Sequence, residues 1–309
     1  MAMTHRGLLP KQFDRKIIDM IYDRLSTQYS EYSGIAKEME MPKGREYRAA
    51  EVAGLRDLEV IPEGGRPTFD VPVEGNEKAV EVVKYGLGMV VTEEMVADDY
   101  HDKALQAAAM LGEAAVDWVN KLYFDLFNNG NDTHTSWDGQ YIYSASHTVL
   151  KTGATFSNLD STALSETAFQ AAFEHYDNLP SSTGRKTDIE GDQLLVPTKL
   201  RWMANRLLKQ AGGISATGSN AVNMGLNDMT TNPGNGYVNG WTLHILKYLT
   251  SETNWFFLSK KYQDNRLIWK KRITVDSFDD PHTDSRMYKV TLRTVPATFD
   301  AKGSYGSFV

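Results

Sequence analysis

Two clusters in this chain gather residue types that could do chemistry. Asp98, Asp99, His101 and Asp102 crowd one stretch. Carboxylates beside an imidazole could hold a divalent cation and activate water, as in an acidic metal-dependent hydrolase. Ser144 and Ser146 precede His147, and a hydroxyl near an imidazole is the start of a nucleophile–base pair. Neither cluster is completed in sequence. His5, His101, His134, His147, His175, His244 and His282 form no HExxH pair or other spaced metal signature. A serine nucleophile needs its base across a turn and a carboxylate behind it, and there is no G-x-S-x-G elbow. The acidic group reads better as a solvated helix face. The glycine-rich 212–225 segment lacks the spacing and the Lys-Ser/Thr of a phosphate cradle. Trp137, Tyr141, Tyr143 and Phe156 could stack on bases or sugars, but no basic residues interleave them, which favours packing. The expectation is a protein that is not an enzyme, with no catalytic residue, cofactor or metal.

Composition narrows the classes further. The chain has 309 residues, 41% of them hydrophobic, enough to bury a sizeable core in one or two domains. Its net charge of −7 disfavours gripping nucleic acid through phosphates, although an acidic wall can still enclose it. Without cysteine there are no disulfides, thiolate metal sites or thiol nucleophiles. No run approaches the length of a membrane span and the first residues lack a signal-peptide core, so a soluble, cytoplasmic product is expected.

The elements around these clusters form a lopsided set. Lys11 to Thr27 has Phe13, Ile17, Ile18, Ile21 and Leu25 at helical spacing, and Gly34 and Pro42 then break the pattern. Such a tethered helix packs either on its own body or on a neighbour. Glu51 to Val91 reads as β structure. One strand, residues 57–61, enters the turn Pro62-Glu63-Gly64-Gly65-Arg66-Pro67, and residues 68–73 leave it. Three prolines argue for edge strands, and so polar a hairpin is marginal alone. Thr92 is placed to cap a helix running to about Phe127. Its stripe is Leu105, Ala108, Gly112, Ala115, Val119, Leu122 and Leu126, and small residues in the middle invite close approach of a sheet or backbone. A coiled coil is the bland alternative, but the stripe falls short of four clean heptads.

A second helix opens at Ser165, with Leu164 and Phe169 forming a hydrophobic staple and Phe169, Ala172, Phe173 and Tyr176 its buried face. Leu194 to Val196 is a short buried strand leading to a helix lined by Leu200, Met203, Leu207 and Leu208. Residues 211–236 read as an exposed loop, 242–248 and 255–259 as strands, and 267–275 with 286–295 as a closing hairpin. The class is α+β.

Three stretches carry a resemblance. Lys84-Tyr-Gly-Leu-Gly-Met-Val-Val-Thr-Glu-Glu-Met-Val-Ala-Asp-Asp99 resembles the strand-to-spine-helix junction of tailed-bacteriophage major capsid proteins with the HK97-type fold. Trp137-Asp-Gly-Gln-Tyr-Ile-Tyr-Ser-Ala-Ser-His147 is similar to the loop after that helix in the Mu-like major head subunit branch, and Leu194-Leu-Val-Pro-Thr-Lys-Leu-Arg-Trp202 resembles the strand-turn-helix opening the family's axial domain. The resemblance implies an N-terminal arm (1–50), an extended loop or E-loop (51–91), a peripheral domain with the spine helix (92–189), an axial domain (190–262) and a C-terminal β-hairpin returning to the peripheral domain (263–309). It implies an icosahedral shell of hexamers and pentamers, assembled in the host cytoplasm and forming the virion capsid. That shell encloses double-stranded DNA without sequence-specific binding or contact with a membrane. Its partners are a portal and, because the chain begins almost at the arm, a separate scaffolding protein, unless none is needed. No motif carries the covalent Lys–Asn cross-link of some members over to Lys78. Glu63, Gly64, Gly65 and Arg66 at the loop tip, with Phe13 and Ile17 of the first helix, are the expected intersubunit contacts. An encapsulin-like cargo shell shares the fold, and a tail or adhesin component is a further structural alternative.

Overall fold

In a computed structural model, residues 8–28, 30–41, 43–55, 58–92, 95, 101–209, 241–280 and 285–309 are described. The helices are α1 (Leu8–Thr27), α2 (His101–Asn128), α3 (Glu166–Asn178) and α4 (Arg201–Lys209). The strands in the first half are β1 (Lys37–Glu40), β2 (Glu46–Ala53), β3 (Val73–Glu81) and β4 (Val83–Thr92). Then come β5 (His147–Thr148), β6 (Thr155–Phe156), β7 (Leu159–Asp160), β8 (Gln193–Pro197), β9 (Thr242–Leu246) and β10 (Trp255–Leu258). The last are β11 (Asn265–Asp280), β12 (Ser285–Thr298) and β13 (Ser304–Ser307). No helix among the described residues is long and apolar enough to cross a membrane. The chain divides into two compact units.

Unit one takes residues 1–47, 80–123 and 266–296. Its sheet runs β1-β11-β12-β4, with β4 at the edge and β12 antiparallel to it from Ser285↔Thr92 to Thr294↔Val83. The sheet packs on α2 and α1. Ile17 and Ile21 of α1 meet Ala104, Ala108, Leu111 and Ala115 of α2 and Val91, Tyr288 and Val290 of the sheet. The small residues of α2 do what their size allows. A Cβ on Gly112 would lie 2.9 Å from the Ile21 carbonyl oxygen, so the two helix backbones nearly touch. Polar groups fix the same joint, since Asp14 accepts from the Tyr288 hydroxyl and pairs with Arg286 at 2.8 Å.

The sequence places the start of the long helix at Thr92. The Thr92 hydroxyl accepts from the Met95 N–H at 3.3 Å, as a cap does. Residues 93, 94 and 96–100 lie outside the described part, and α2 itself has 28 residues, about 42 Å of helix.

Unit two takes residues 48–79, 124–265 and 297–309. Its five-stranded sheet runs β7-β13-β10-β8-β9, and β10 at the centre is wholly buried. Helix α3 lies on this sheet. Ser165 caps it, its hydroxyl accepting from the Ala168 N–H at 3.1 Å, and Leu164 and Phe169 share one core. Phe169, Phe173 and Tyr176 stack edge-on around Phe257 of β10. Helix α3 packs against β8, β10 and α4, because β10 supplies the aromatic surface its apolar face needs.

The hairpin also differs from expectation. Residues 58–61 and 68–72 form no strand, and the paired strands are β2 and β3 further back. The limbs alternate like strands, but Pro62, Pro67 and Pro72 donate no ladder bond, and among the described residues neither limb has a strand paired with it. Arg56 and Asp57 lie outside the described residues, as do the 211–236 loop and Pro281 and His282 in the expected final turn.

Candidate functional site

The two chemistry clusters resolve first. Asp98 and Asp99 lie outside the described residues, as does the His101 side chain, and Asp102 is exposed. Among the described residues no three His, Asp or Glu side chains are grouped to hold a metal ion. His147 is fully buried, and its partners are not the serines beside it in sequence. Its Nδ1 meets Asp138 Oδ2 at 2.8 Å, and its Nε2 faces the Ile142 carbonyl at 3.2 Å and Asn158 Oδ1 at 3.1 Å. The Ser136 hydroxyl donates to Asp138, not to the ring. Burial pushes the Asp138 carboxyl up, but hydrogen bonds from His147, Ser136 and the Gln140 N–H outweigh it and bring its pKa down to about 2. The group ties the loop after α2 to β5. Asp138, nine residues from His147, was missed on the sequence because the serines were nearer.

The loop between β2 and β3 is the more unusual feature. At its tip Gly65 N–H donates to the Pro62 carbonyl at 2.8 Å, and Gly64 sits at φ +78°. That is a tight turn whose third residue needs positive φ, the reason glycine stands there. Glu63, Gly64, Gly65 and Arg66 are all exposed. Thr68 Oγ1 donates to the Glu59 carboxylate at 2.9 Å and holds the limbs together. Beyond the tip, Leu58 and Val60 are essentially fully exposed and Phe69 is 89% exposed. Covering each such side chain is worth roughly 1.5–3 kcal/mol.

The root of the loop is held firmly within unit two. Glu51 of β2 pairs with the buried Lys302 at 3.5 Å. Lys78 of β3 donates to the carbonyls of Thr135 and, at 2.9 Å, Thr298, over the Phe299 ring. Burial lowers the Lys78 pKa to about 8. Lys151 donates to the Gly54 carbonyl at 2.7 Å and to Asp70 at 2.8 Å. A Cβ on Gly75 would strike the Leu150 side chain at 2.5 Å, so β3 lies flush against its neighbour.

The other two expected contact residues sit elsewhere. Ile17 is fully buried and Phe13 packs partly buried against the same core of unit one. Ile17 therefore has no surface to offer a neighbour, whereas Phe13 is left partly uncovered. Unit one instead offers a groove of about 440 Å³ between α2 and the sheet. Gly86, Ala114 and Ala115 line it, Tyr85, Leu87 and Trp118 wall it, and Asp117 and Lys121 stand among its lining residues. Leu87 and Trp118 are exposed there.

An exposed apolar loop on an anchored root suits a surface that another copy covers, and the sequence family is one of shell proteins. A model described as phage capsid protein matches residues 75–306, about three quarters of the chain. The chain belongs to the phage capsid proteins. Solved structures carry the same fold. The bacteriophage JBD30 procapsid protein is 14% identical with a TM-score of 0.55, over 98% of this chain and 76% of that one. The cyanophage P-SCSP1u capsid protein is 11% identical with a TM-score of 0.57, over 88% and 86%. The virus-like particle of Pyrococcus furiosus is 10% identical with a TM-score of 0.52, over 95% and 98%. No curated protein matches. This capsid protein thus has the HK97-type fold anticipated from its three motifs, and its work is to build the phage head shell from its own copies.

Proposed function

We propose that this capsid protein closes an icosahedral shell of hexamers and pentamers around double-stranded DNA, with a portal and a separate scaffolding protein as partners, assembling in the host cytoplasm. The arm would be residues 1–50, the E-loop 51–91, the peripheral domain 92–189 with the hairpin 263–309, and the axial domain 190–262. The observation that carries this reading is the loop, whose outer half exposes Leu58, Val60 and Phe69 while its root is fixed. An isolated monomer gains nothing from that arrangement, and a neighbour covering the loop gains several kcal/mol. The acidic chain, at −7, supports an enclosing wall that does not grip DNA.

The seat for the loop is the groove of unit one on an adjacent copy. Both surfaces are apolar, and the charges complement each other: Arg66 and Glu63 at the tip, Asp117 and Lys121 beside the groove. Each copy carries one loop and one groove, so the contact is heterologous, and it gives rings where the rotation between copies closes. Electron microscopy of the purified protein should find closed shells of uniform diameter; only dispersed monomers under all assembly conditions would refute the shell. The seat has its own test, helped by the absence of native cysteine. Val60→Cys with Leu87→Cys, oxidised within shells, should give a disulfide ladder of two to six chains. Intact shells without a ladder would place the loop elsewhere.

A further inference from the structure

We propose that Lys78, Lys151 and Lys302 are positioning residues for assembly: together they fix the direction in which the loop leaves unit two, and so the angle between neighbouring copies. This rests on the loop being a contact between copies.

The three side chains carry the charged part of the root, beside Arg185, which donates to the Leu55 carbonyl at 3.2 Å, and the Gly54 N–H, which donates to Ser182 Oγ at 3.3 Å. Lys302 holds the β2 limb through Glu51, and the two side chains are only 11% and 13% exposed. Lys78 is itself on the β3 limb and reaches the carbonyls of Thr135 and Thr298, which belong to two separate segments of unit two. Lys151 joins the outgoing limb at Gly54 to the returning limb at Asp70 with one ammonium group. Pairing β2 with β3 needs none of them. Lysine is among the residues least willing to leave water, and burial disfavours the charged form of Lys78 enough to lower its pKa to about 8. What the ammonium adds is a set of directional bonds that an apolar contact lacks.

The lever behind them explains why direction matters. The returning limb, from its anchor at Asp70 to the tip at Gly65, can span up to about 18 Å. Turning the root by about 10° would therefore move the tip by roughly 3 Å if the limb turns with it. Among the described residues between Leu58 and Phe69, the side-chain bond is Thr68 to Glu59, which joins limb to limb. Accuracy at the tip thus depends on the root.

The test uses the full chain with Lys78→Met, Lys302→Met and Lys151→Met made singly, examined by thermal unfolding of the unassembled subunit and by microscopy of the assembled product. Each variant is expected to melt lower than the unmodified chain, since it takes a partner from Glu51, Asp70 or two carbonyls, but still to unfold cooperatively well above the assembly temperature, and to give tubes, open sheets or shells of mixed diameter in at least half of its particles. Reversing the pair, Glu51→Lys with Lys302→Glu, should restore uniform shells where each single reversal does not; failure to restore counts against a directional role for that pair. If Lys78→Met does not fold, Lys151→Ala at the half-buried outer end of the root decides in its place. Uniform shells of the original diameter from the lysine variants would overturn the proposal. If deleting Glu63–Arg66 still blocks assembly in that case, only the positioning role falls; if that deletion too leaves normal shells, the loop contact itself is wrong.

Discussion

Helix α1 and the loop that ends at Val73 look like the same kind of part on paper: each is tethered, each carries a handful of apolar residues, and each could lean on a neighbour. They resolve in opposite ways. Ile17 and Ile21 vanish into a core shared with α2 and the sheet, whereas Leu58, Val60 and Phe69 stand in water. The difference lies in periodicity. Repeats of three and four put the apolar residues of α1 on one face, which one partner can cover. The loop alternates instead, offers both faces, and is cut by three prolines, so no part of its own chain can take it in. Apolar content alone does not separate a segment that completes a subunit from one that joins subunits.

The strongest way to break this comparison is to delete Glu63–Arg66. Shell formation should be abolished while the subunit's thermal unfolding is unchanged, as read by microscopy and calorimetry; normal shells would show that the loop is not a joint. A matched pair of charges sharpens it. Ile17→Asp buries an unpaired carboxylate and should destabilise the subunit by about 3–5 kcal/mol in urea unfolding. Val60→Asp should change that stability by no more than about 0.5 kcal/mol and still prevent assembly. Equal effects on stability would erase the distinction. Smaller again is Gly112→Ala, where a Cβ lies 2.9 Å from Ile21 oxygen and 3.0 Å from Arg24 Cβ. Prising α1 off α2 should cost about 1–3 kcal/mol, and a neutral result would mean the helices have room to move apart.

The mildest prediction concerns unit two in acid. The folded state holds Asp138 at about 2, below its unfolded value near 3.8. Its contribution to stability is therefore complete above pH ~4 and is lost as the pH falls toward 2. Asp138→Asn should flatten that part of the stability curve, and an unchanged acid limb would assign the loss to other carboxylates.

Much of this could be seen in the sequence, and the parts that could not have a common cause. The buried face of α3, the Ser165 cap and the Thr92 cap depend on neighbours three or four positions away, within reach of a pattern. So does the turn at Gly64, where only glycine is at ease. The limbs of the loop were misread as strands because alternation reports a capacity to pair, not the presence of a partner. The lysine anchors were invisible because Lys78 finds its carbonyls 57 and 220 positions away. His147 misled in the other direction, with adjacent serines drawing attention from Asp138, which the chain folds back to meet it. The seat of α3 was lost likewise, since β10 arrives some eighty residues after the helix: Tyr176 bonds to the Phe257 carbonyl 81 positions on.

The joint between α1 and the sheet has a consequence for biosynthesis. Asp14 is bound by Tyr288, 274 positions later. At about 5–20 residues per second, a ribosome takes roughly 15–55 s to deliver that partner. Helix α2 can cover part of the Ile17 and Ile21 face once residues 104–115 are made, but the side that faces β12 stays open for the whole interval. Demand for a chaperone should therefore fall at the start of the polypeptide, and a shell built from many copies multiplies that demand by every copy.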